Sequence, residues 1–353
     1  MKEKILTLII PAYNMEKYLD RCLSSLVVND ESMGRFEALV INDGSKDETS
    51  EIGRRYEGAY PDTFRVIDKE NGHYGSCVNR GLAEAKGTFV KILDADDSFD
   101  NDVFTSFLDF LMTEDVKTRA DVIISDYTEV DNRRTPLKTI SFSKHDHSFS
   151  KNDLTSNDKK EWFIHALTYR TSILREQNYR QIEGISYTDQ EWAFIPMAYA
   201  SVLFSFGKPL YLYTKGVENQ SVEPAIHAKN IWMEMNVIKE IILFYSGALP
   251  ASAKERDPFL RDRLLIIVES IYQLCLLTLR KYKVPLDALE DFDNCLKTNC
   301  PGEYAITNRY STTIAKLKFF PIRNWRENKR GIMLLQNLAY DFADWYNNLK
   351  LNH

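Results

Sequence analysis

The chain has 353 residues, 44% of them hydrophobic, and a formal net charge of −6. That length suffices for about two domains with ordinary buried cores, and the acidic balance excludes an overall electrostatic attraction to nucleic acid, so no nucleic-acid partner is expected. The five cysteines, Cys22, Cys77, Cys275, Cys295 and Cys300, show no CxxC spacing and cannot all pair; with a start, Met1-Lys2-Glu3-Lys4, that lacks the apolar core of a signal peptide, they point to a cytoplasmic protein. The longest apolar stretch, Leu264–Leu279, is interrupted by Glu269, Ser270 and Gln273 and reads as a buried helix, not a membrane span.

In chain order, strand-like and helix-like runs alternate, the pattern of a parallel sheet covered by helices. Leu6 to Ile10 is the first strand, closed by Pro11. Asn14 is then expected to cap a helix whose apolar stripe is Met15, Tyr18, Leu19, Cys22, Leu23 and Leu26. Phe36 to Ile41 is the second strand, and Ser45 with Glu48 has the spacing of a capping box for the next helix. Phe64 to Ile67 is the third strand. The turn Asn71-Gly72-His73-Tyr74-Gly75 opens a helix running through Ala85, and Thr88 to Leu93 is the fourth strand. Val202 to Phe206 and Leu210 to Tyr213 are further strands. Helices follow at Ile226–Tyr245, from Asp257-Pro258 to about Lys281, at Leu286–Leu296 and at Ile332–Leu349. Their stripes read as core, facing an acceptor or building a homo-oligomer.

Each of the first four strands ends in polar residues: Tyr13-Asn14, Asn42-Asp43-Gly44-Ser45, Asn71-Gly72-His73, and Asp94-Ala95-Asp96-Asp97. Ligands of open α/β sheets bind beyond the carboxyl ends of the strands. Three clustered carboxylates repel one another and resist burial, so they suit loop and capping roles in water or a bound divalent cation. Neither GxGxxG after the first strand nor GxxxxGK[ST] anywhere is present, which disfavours a dinucleotide dehydrogenase and a phosphate-loop NTPase.

The ordered set Ile9-Ile10-Pro11-Ala12-Tyr13-Asn14, Val40-Ile41-Asn42-Asp43-Gly44-Ser45, Asn71-Gly72-His73-Tyr74-Gly75, Asn79-Arg80-Gly81-Leu82, Ala85-Lys86-Gly87 and Leu93-Asp94-Ala95-Asp96-Asp97 resembles family 2 glycosyltransferases of the bacterial polysaccharide type. The resemblance covers roughly the first 220 residues. It implies an α/β GT-A fold, a Rossmann-like nucleotide-diphospho-sugar transferase domain with a mostly parallel sheet, over residues 1–223. An α-helical C-terminal domain would occupy 224–353.

By that resemblance Asp43 contacts the nucleobase, Tyr13 and Pro11 line the base pocket beside Ala12 and Asn14, and Asn71, Gly72 and His73 belong to the nucleotide-sugar site. His73 would donate to the diphosphate or stand as a solvated loop residue. Of Asp94-Ala95-Asp96, Asp94 would serve the ribose or the site's geometry, and Asp96 would hold Mn²⁺ or Mg²⁺. Asp97 would ligate through water or cap the helix at Asn101. In Tyr187-Thr188-Asp189-Gln190-Glu191 the family's usual Glu-Asp pair is reduced to Asp189, because Thr188 replaces the Glu. Asp189 is therefore the implied general base, with Glu191 its competitor. The implied reaction is metal-dependent, inverting transfer from a nucleotide sugar, a UDP-hexose or UDP-N-acetylhexosamine, to a glycan, polysaccharide or lipid-linked acceptor. The alternative is a non-catalytic nucleotide-sugar-binding or scaffold subunit of a glycan-assembly complex. Lys215-Gly216-Val217-Glu218-Asn219-Gln220-Ser221 resembles a closing loop of such enzymes. Over residues 316–330, Lys316, Lys318, Arg323, Arg326, Lys329 and Arg330 interleave with Phe319, Phe320, Ile322 and Trp325. This pattern suits either peripheral contact with the inner face of a cell membrane or a solvated helical surface.

Overall fold

The computed structural model describes residues 3–142, 148–216, 223–249, 257–279, 281–282, 284–314 and 317–328. The expectations for Gln220, Ser221, Lys316, Lys329, Arg330 and the Ile332–Leu349 helix lie outside those residues. The chain forms two compact units, Met1–Gln220 with Glu255–Leu260, and Ser221–Lys254 with Arg261–His353.

The first unit is built on a mixed sheet. Its strands are β1 (Leu6–Ala12), β2 (Phe36–Asn42), β3 (Phe64–Asp68), β4 (Phe89–Ile92), β5 (Ser98–Phe99), β6 (Val122–Val130), β7 (Pro136–Ile140), β8 (Leu167–Arg170) and β9 (Leu203–Thr214), in the order β3-β2-β1-β4-β8-β6-β9-β5 with β7 beside β6. β3, β2, β1 and β4 are mutually parallel, as the alternating sequence pattern requires. From β4 onward the sheet turns antiparallel at β8, β6–β8 and β5–β9, while β6 and β9 run parallel. β1 and β2 are buried along their whole length, which explains why they read as continuous apolar runs without alternation. On the helix His73–Glu84, a side chain at Gly81 would lie 2.6 Å from Ile9. Its absence lets that helix sit directly on β1.

Several expected boundaries shift for local reasons. β1 continues through Pro11 to Ala12, because pairing with β4 stops at Ile9 and the missing imide N–H costs no ladder bond on that side. Asn14 does not cap a helix; it sits in the left-handed region at φ 55°, and the helix begins only at Leu19. Ser45 and Glu48 form no capping box either, since the Ser45 hydroxyl accepts the Asn14 N–H at 3.0 Å instead. The two short strands expected around residue 207 are one long strand, β9.

In the second unit the described residues form helices Pro224–Leu243, Leu286–Asn299, Pro301–Thr307 and Pro321–Asn328 and a small antiparallel strand pair, Thr312–Ile314 with Leu317–Phe319. The helix expected from Asp257-Pro258, whose first residues belong to the first unit, spans Pro258–Gln273 and continues as a π-helical turn over Leu274–Thr278, with Asp257 Oδ1 accepting the Leu260 N–H at 3.2 Å. Within the segment read as a basic-aromatic surface, Ile322 and Trp325 are buried. Arg326 is also withdrawn from that surface: it pairs with Asp293 at 2.8 Å, donates to the Tyr304 carbonyl and Asn308, and stacks on the Tyr304 ring at 3.6 Å. Lys318 and Arg323 stay outside, over the Phe320 ring. Among the described residues no helix is long and apolar enough to cross a membrane.

Candidate active site

The parallel strands β1, β2, β3 and β4 deliver their carboxyl ends to one edge of the sheet, where the loops clasp each other. Asn14 Oδ1 accepts the Lys46 N–H at 2.8 Å, and the Asp47 carboxylate accepts the Glu16 and Thr49 N–H groups. Pro11 and Ala12 are buried while Tyr13, 47% exposed, presents its ring to solvent at the start of this loop. Asp43 follows β2 and is buried. Its Oδ1 accepts from Lys69 Nζ at 2.6 Å and from the Gly72 N–H at 2.9 Å, and Asn71 Nδ2 donates to its carbonyl at 3.0 Å. The ion pair and the amide bond fix the orientation of this carboxylate. Asn71, Gly72 and His73 thus lie beside Asp43, with His73 at φ 63°.

Beyond β4 the carboxylates gather around β9. The Tyr74 hydroxyl donates to Asp94 Oδ1 at 2.7 Å. Tyr211 accepts the Asp94 N–H at 3.1 Å and donates to Asp97 Oδ2 at 2.7 Å, and the Thr214 N–H reaches Asp97 Oδ1 at 2.7 Å. Asp97 therefore caps no helix; Asp100 caps the helix that starts at Asn101. Burial pushes the Asp94 carboxyl well above the usual range, with further contributions from the Asp96 and Asp189 charges. Asp97 is raised in the same way, first by burial and then by Asp96 and Asp94. Ala95 is buried between the two, and the Asp96 carbonyl accepts from Arg21 Nη2 at 2.6 Å.

A residue that sequence reading passed over completes this cluster. One ligand atom each from Asp94, Asp97 and His165 lie within 4.8 Å of one another. The Asp96 carboxylate, expected to hold the ion, is not among them. The His165 ring stacks on Tyr213 with centroids 4.3 Å apart, and its Nδ1 is buried without a hydrogen-bond partner. Burial, with Lys91 and Lys215 nearby, holds its pKa down to about 3, so the imidazole is neutral. Two carboxylates that repel, Asp97 buried and Asp94 half-buried, and a neutral imidazole with an orphaned Nδ1 form a donor set that fits a divalent cation. Beneath them Lys91, wholly buried in β4, donates to the His165 carbonyl at 2.7 Å and is pulled down to about 7 by burial. No spacing around His165 announces it. Lys91 did carry a signal: a lysine inside an otherwise apolar strand.

Asp189 opens the short helix Asp189–Phe194 and stands close enough to Asp94 and Tyr74 for its charge to raise both. Its competitor Glu191 is directed away; it is buried, and its Oε2 accepts the Ile182 N–H at 3.0 Å. The structure thus brings together Asp94, Asp97, His165 and Asp189, while Asp43 with Asn71 and Gly72 forms a second group on the β2–β3 side.

Residues 7–180 match the family model described as glycosyl transferase family 2. The chain belongs to that family. Two curated relatives of this family 2 chain are an uncharacterized glycosyltransferase (MG025 homolog) of Mycoplasma pneumoniae, 37% identical over 27% of this chain and 32% of its own length, and the uncharacterized glycosyltransferase EpsJ of Bacillus subtilis, 23% identical over 71% and 73%. The first relatives are matched over less than half their own length, 32% and 41%. Among solved structures, S. aureus TarS 1-349 in complex with UDP-GlcNAc superposes with a TM-score of 0.54 at 19% identity, covering 90% of this chain and 96% of that one. The mannosyltransferase PcManGT of Pyrobaculum calidifontis, in complex with GDP-Man and Mn²⁺, gives 0.51 at 15% identity, covering 85% and 82%. These likenesses show the GT-A fold. The family match takes in Asp43, the aspartate cluster and His165 and stops short of Asp189.

Proposed function

We propose that this family 2 chain transfers a sugar, with inversion, from a UDP-hexose or UDP-N-acetylhexosamine to a hydroxyl of a glycan, polysaccharide or lipid-linked acceptor, through a transferase domain ending near residue 223. The observation that carries the reading is the meeting of Asp189 with the Asp94 cluster at the carboxyl edge of the sheet, beside the buried, lysine-paired Asp43. Asp43 accepts an N–H of the nucleobase, while Tyr13 offers an exposed ring for stacking. Asp189 takes the proton of the acceptor hydroxyl, which attacks the anomeric carbon opposite the departing nucleoside diphosphate. Asp94, Asp97 and His165, with Asp96 adjoining, are the groups that would hold Mn²⁺ or Mg²⁺. Such an ion, when bound, neutralises negative charge on the diphosphate. The ligands named for TarS and PcManGT, UDP-GlcNAc and GDP-Man with Mn²⁺, support this assignment. Asp189 and the intact carboxylate cluster argue for a transferase over a scaffold subunit.

The test is release of nucleoside diphosphate from a panel of nucleotide sugars with Mn²⁺, Mg²⁺ or EDTA. Metal-dependent release from a UDP-sugar, abolished by EDTA, is expected. Tight donor binding without release in the presence of every acceptor tried would return the scaffold reading.

A further inference from the structure

The segment leading into Asp189 is held by an unusual number of specific bonds. Asn79 grips Gln181 from both sides, its Oδ1 accepting the Gln181 N–H at 2.8 Å and its Nδ2 donating to the Gln181 carbonyl at 2.9 Å. Gln181 is buried, and its Oε1 accepts from the hydroxyl of Thr188, itself fully buried, at 3.0 Å. Gln181 Nε2 donates to the Tyr179 hydroxyl at 3.2 Å. One residue on, the Ile182 N–H is taken by Glu191. Thr188 and Glu191 flank Asp189, so both sides of the base are tied to the same dipeptide, Gln181-Ile182.

That dipeptide is in turn fixed to the nucleotide side. A side chain at Gly75 would lie 1.9 Å from the Ile182 carbonyl, so only glycine admits the segment there. The Gly72 carbonyl accepts the Gly184 N–H at 2.9 Å, while its N–H is bonded to Asp43. Tyr187, between these anchors and Asp189, is held at φ 67°, a conformation that persists only when its surroundings enforce it. Thr188 also stands where the family pattern carries Glu. An exposed helix-capping threonine would turn its hydroxyl to the helix's own N–H groups; this one makes no such cap bond.

We propose that Gln181 and Thr188, gripped by Asn79, are positioning residues that brace Asp189, a neutral hydroxyl–amide pair acting where the family pattern has a second acid. The inference rests on Asp189 being the general base. Because misplacing a catalytic group by about 1 Å can cost about a hundredfold, the brace should appear in turnover and not in donor binding.

The experiment uses the full chain with the donor and metal found active, measuring kcat and donor KM for Thr188→Val, Thr188→Ser, Gln181→Met and the Thr188→Val/Gln181→Met double variant, with Asp189→Asn alongside. Thr188→Val should lower kcat about tenfold to a hundredfold with donor KM nearly unchanged, and Thr188→Ser should restore most of it. Gln181→Met should act likewise, and the double variant should lose little more than either single one, as for two ends of one contact. Full kcat in Thr188→Val, no rescue by serine, or additive losses would overturn the brace. So would a rise in donor KM equal to the fall in kcat, which a merely structural role predicts. Loss of the proposed base reading is separable, because Asp189→Asn would then retain activity whatever Thr188 does.

Discussion

Both units bury charge, and they do so in opposite ways. In the C-terminal unit Arg326 and Asp293 are buried together, and the network closes on itself: Tyr272 donates to Asp293 at 2.5 Å, and the guanidinium bonds Tyr272, the Tyr304 carbonyl, Thr307 and Asn308. At the edge of the N-terminal sheet, burial pushes the Asp94 and Asp97 carboxyls up, with the Asp96 charge adding to both and Asp189 to Asp94, and Nδ1 of the His165 imidazole lacks a partner. A satisfied opposite-charge network is architecture, whereas like charges held together at cost call for a ligand.

Substitutions can sharpen that contrast. The largest effect expected is at Asp189, where Asp189→Asn should lower kcat by ~10²–10⁴-fold, the range of a lost general base, in a steady-state assay. Next, Arg326→Met leaves Asp293 buried without its cation and should destabilise by about 3–5 kcal/mol in urea unfolding of the intact chain. It should leave donor KM alone; a changed KM or a stability loss near zero would break the comparison from the C-terminal side. His165→Gln should weaken Mn²⁺ binding, followed by calorimetry or electron paramagnetic resonance, by about tenfold, the scale of one coordinating or hydrogen-bonding group near 1.4 kcal/mol. An equal loss in Asp96→Asn with none in His165→Gln would return the ligand role to Asp96.

The smallest effect is a pH signature. The folded pKa of His165 lies near 3, below its unfolded value, so the unfolded chain binds the extra proton between those values. Its contribution to stability is therefore full above about pH 6.5 and is lost as pH falls toward 3. Imidazole ¹⁵N shifts of the metal-free chain should report a neutral ring at pH 5, and the acid loss of stability should be shallower in His165→Gln.

Much of the N-terminal unit was legible because its signals are local. Buried parallel strands read as apolar runs, and their polar ends name the site's edge. What the sequence concealed is long-range. That Asn14 would bond across to Ser45 and Lys46, and so leave the helix cap, depends on two loops meeting. His165 is placed by β8 and β9, and its neighbours Asp94 and Tyr213 are far from it in sequence. Asp97 and Glu191 likewise turn on tertiary partners, Tyr211 with Thr214 and Ile182. In the C-terminal unit, spacing located the helices, but alternation of basic and aromatic residues did not show that Ile322, Trp325 and Arg326 face inward.

The central claim is a division of labour along one sheet edge, donor recognition at Asp43 and proton transfer at Asp189. Its most direct test is kcat and donor KM measured side by side for Asp43→Ala and Asp189→Asn with a UDP-sugar and Mn²⁺. Asp43→Ala should raise donor KM by about ten- to a hundredfold, the worth of a charged hydrogen bond, with kcat largely retained, and Asp189→Asn should do the reverse. Equal effects of both variants on both constants, or full turnover in Asp189→Asn, would contradict it.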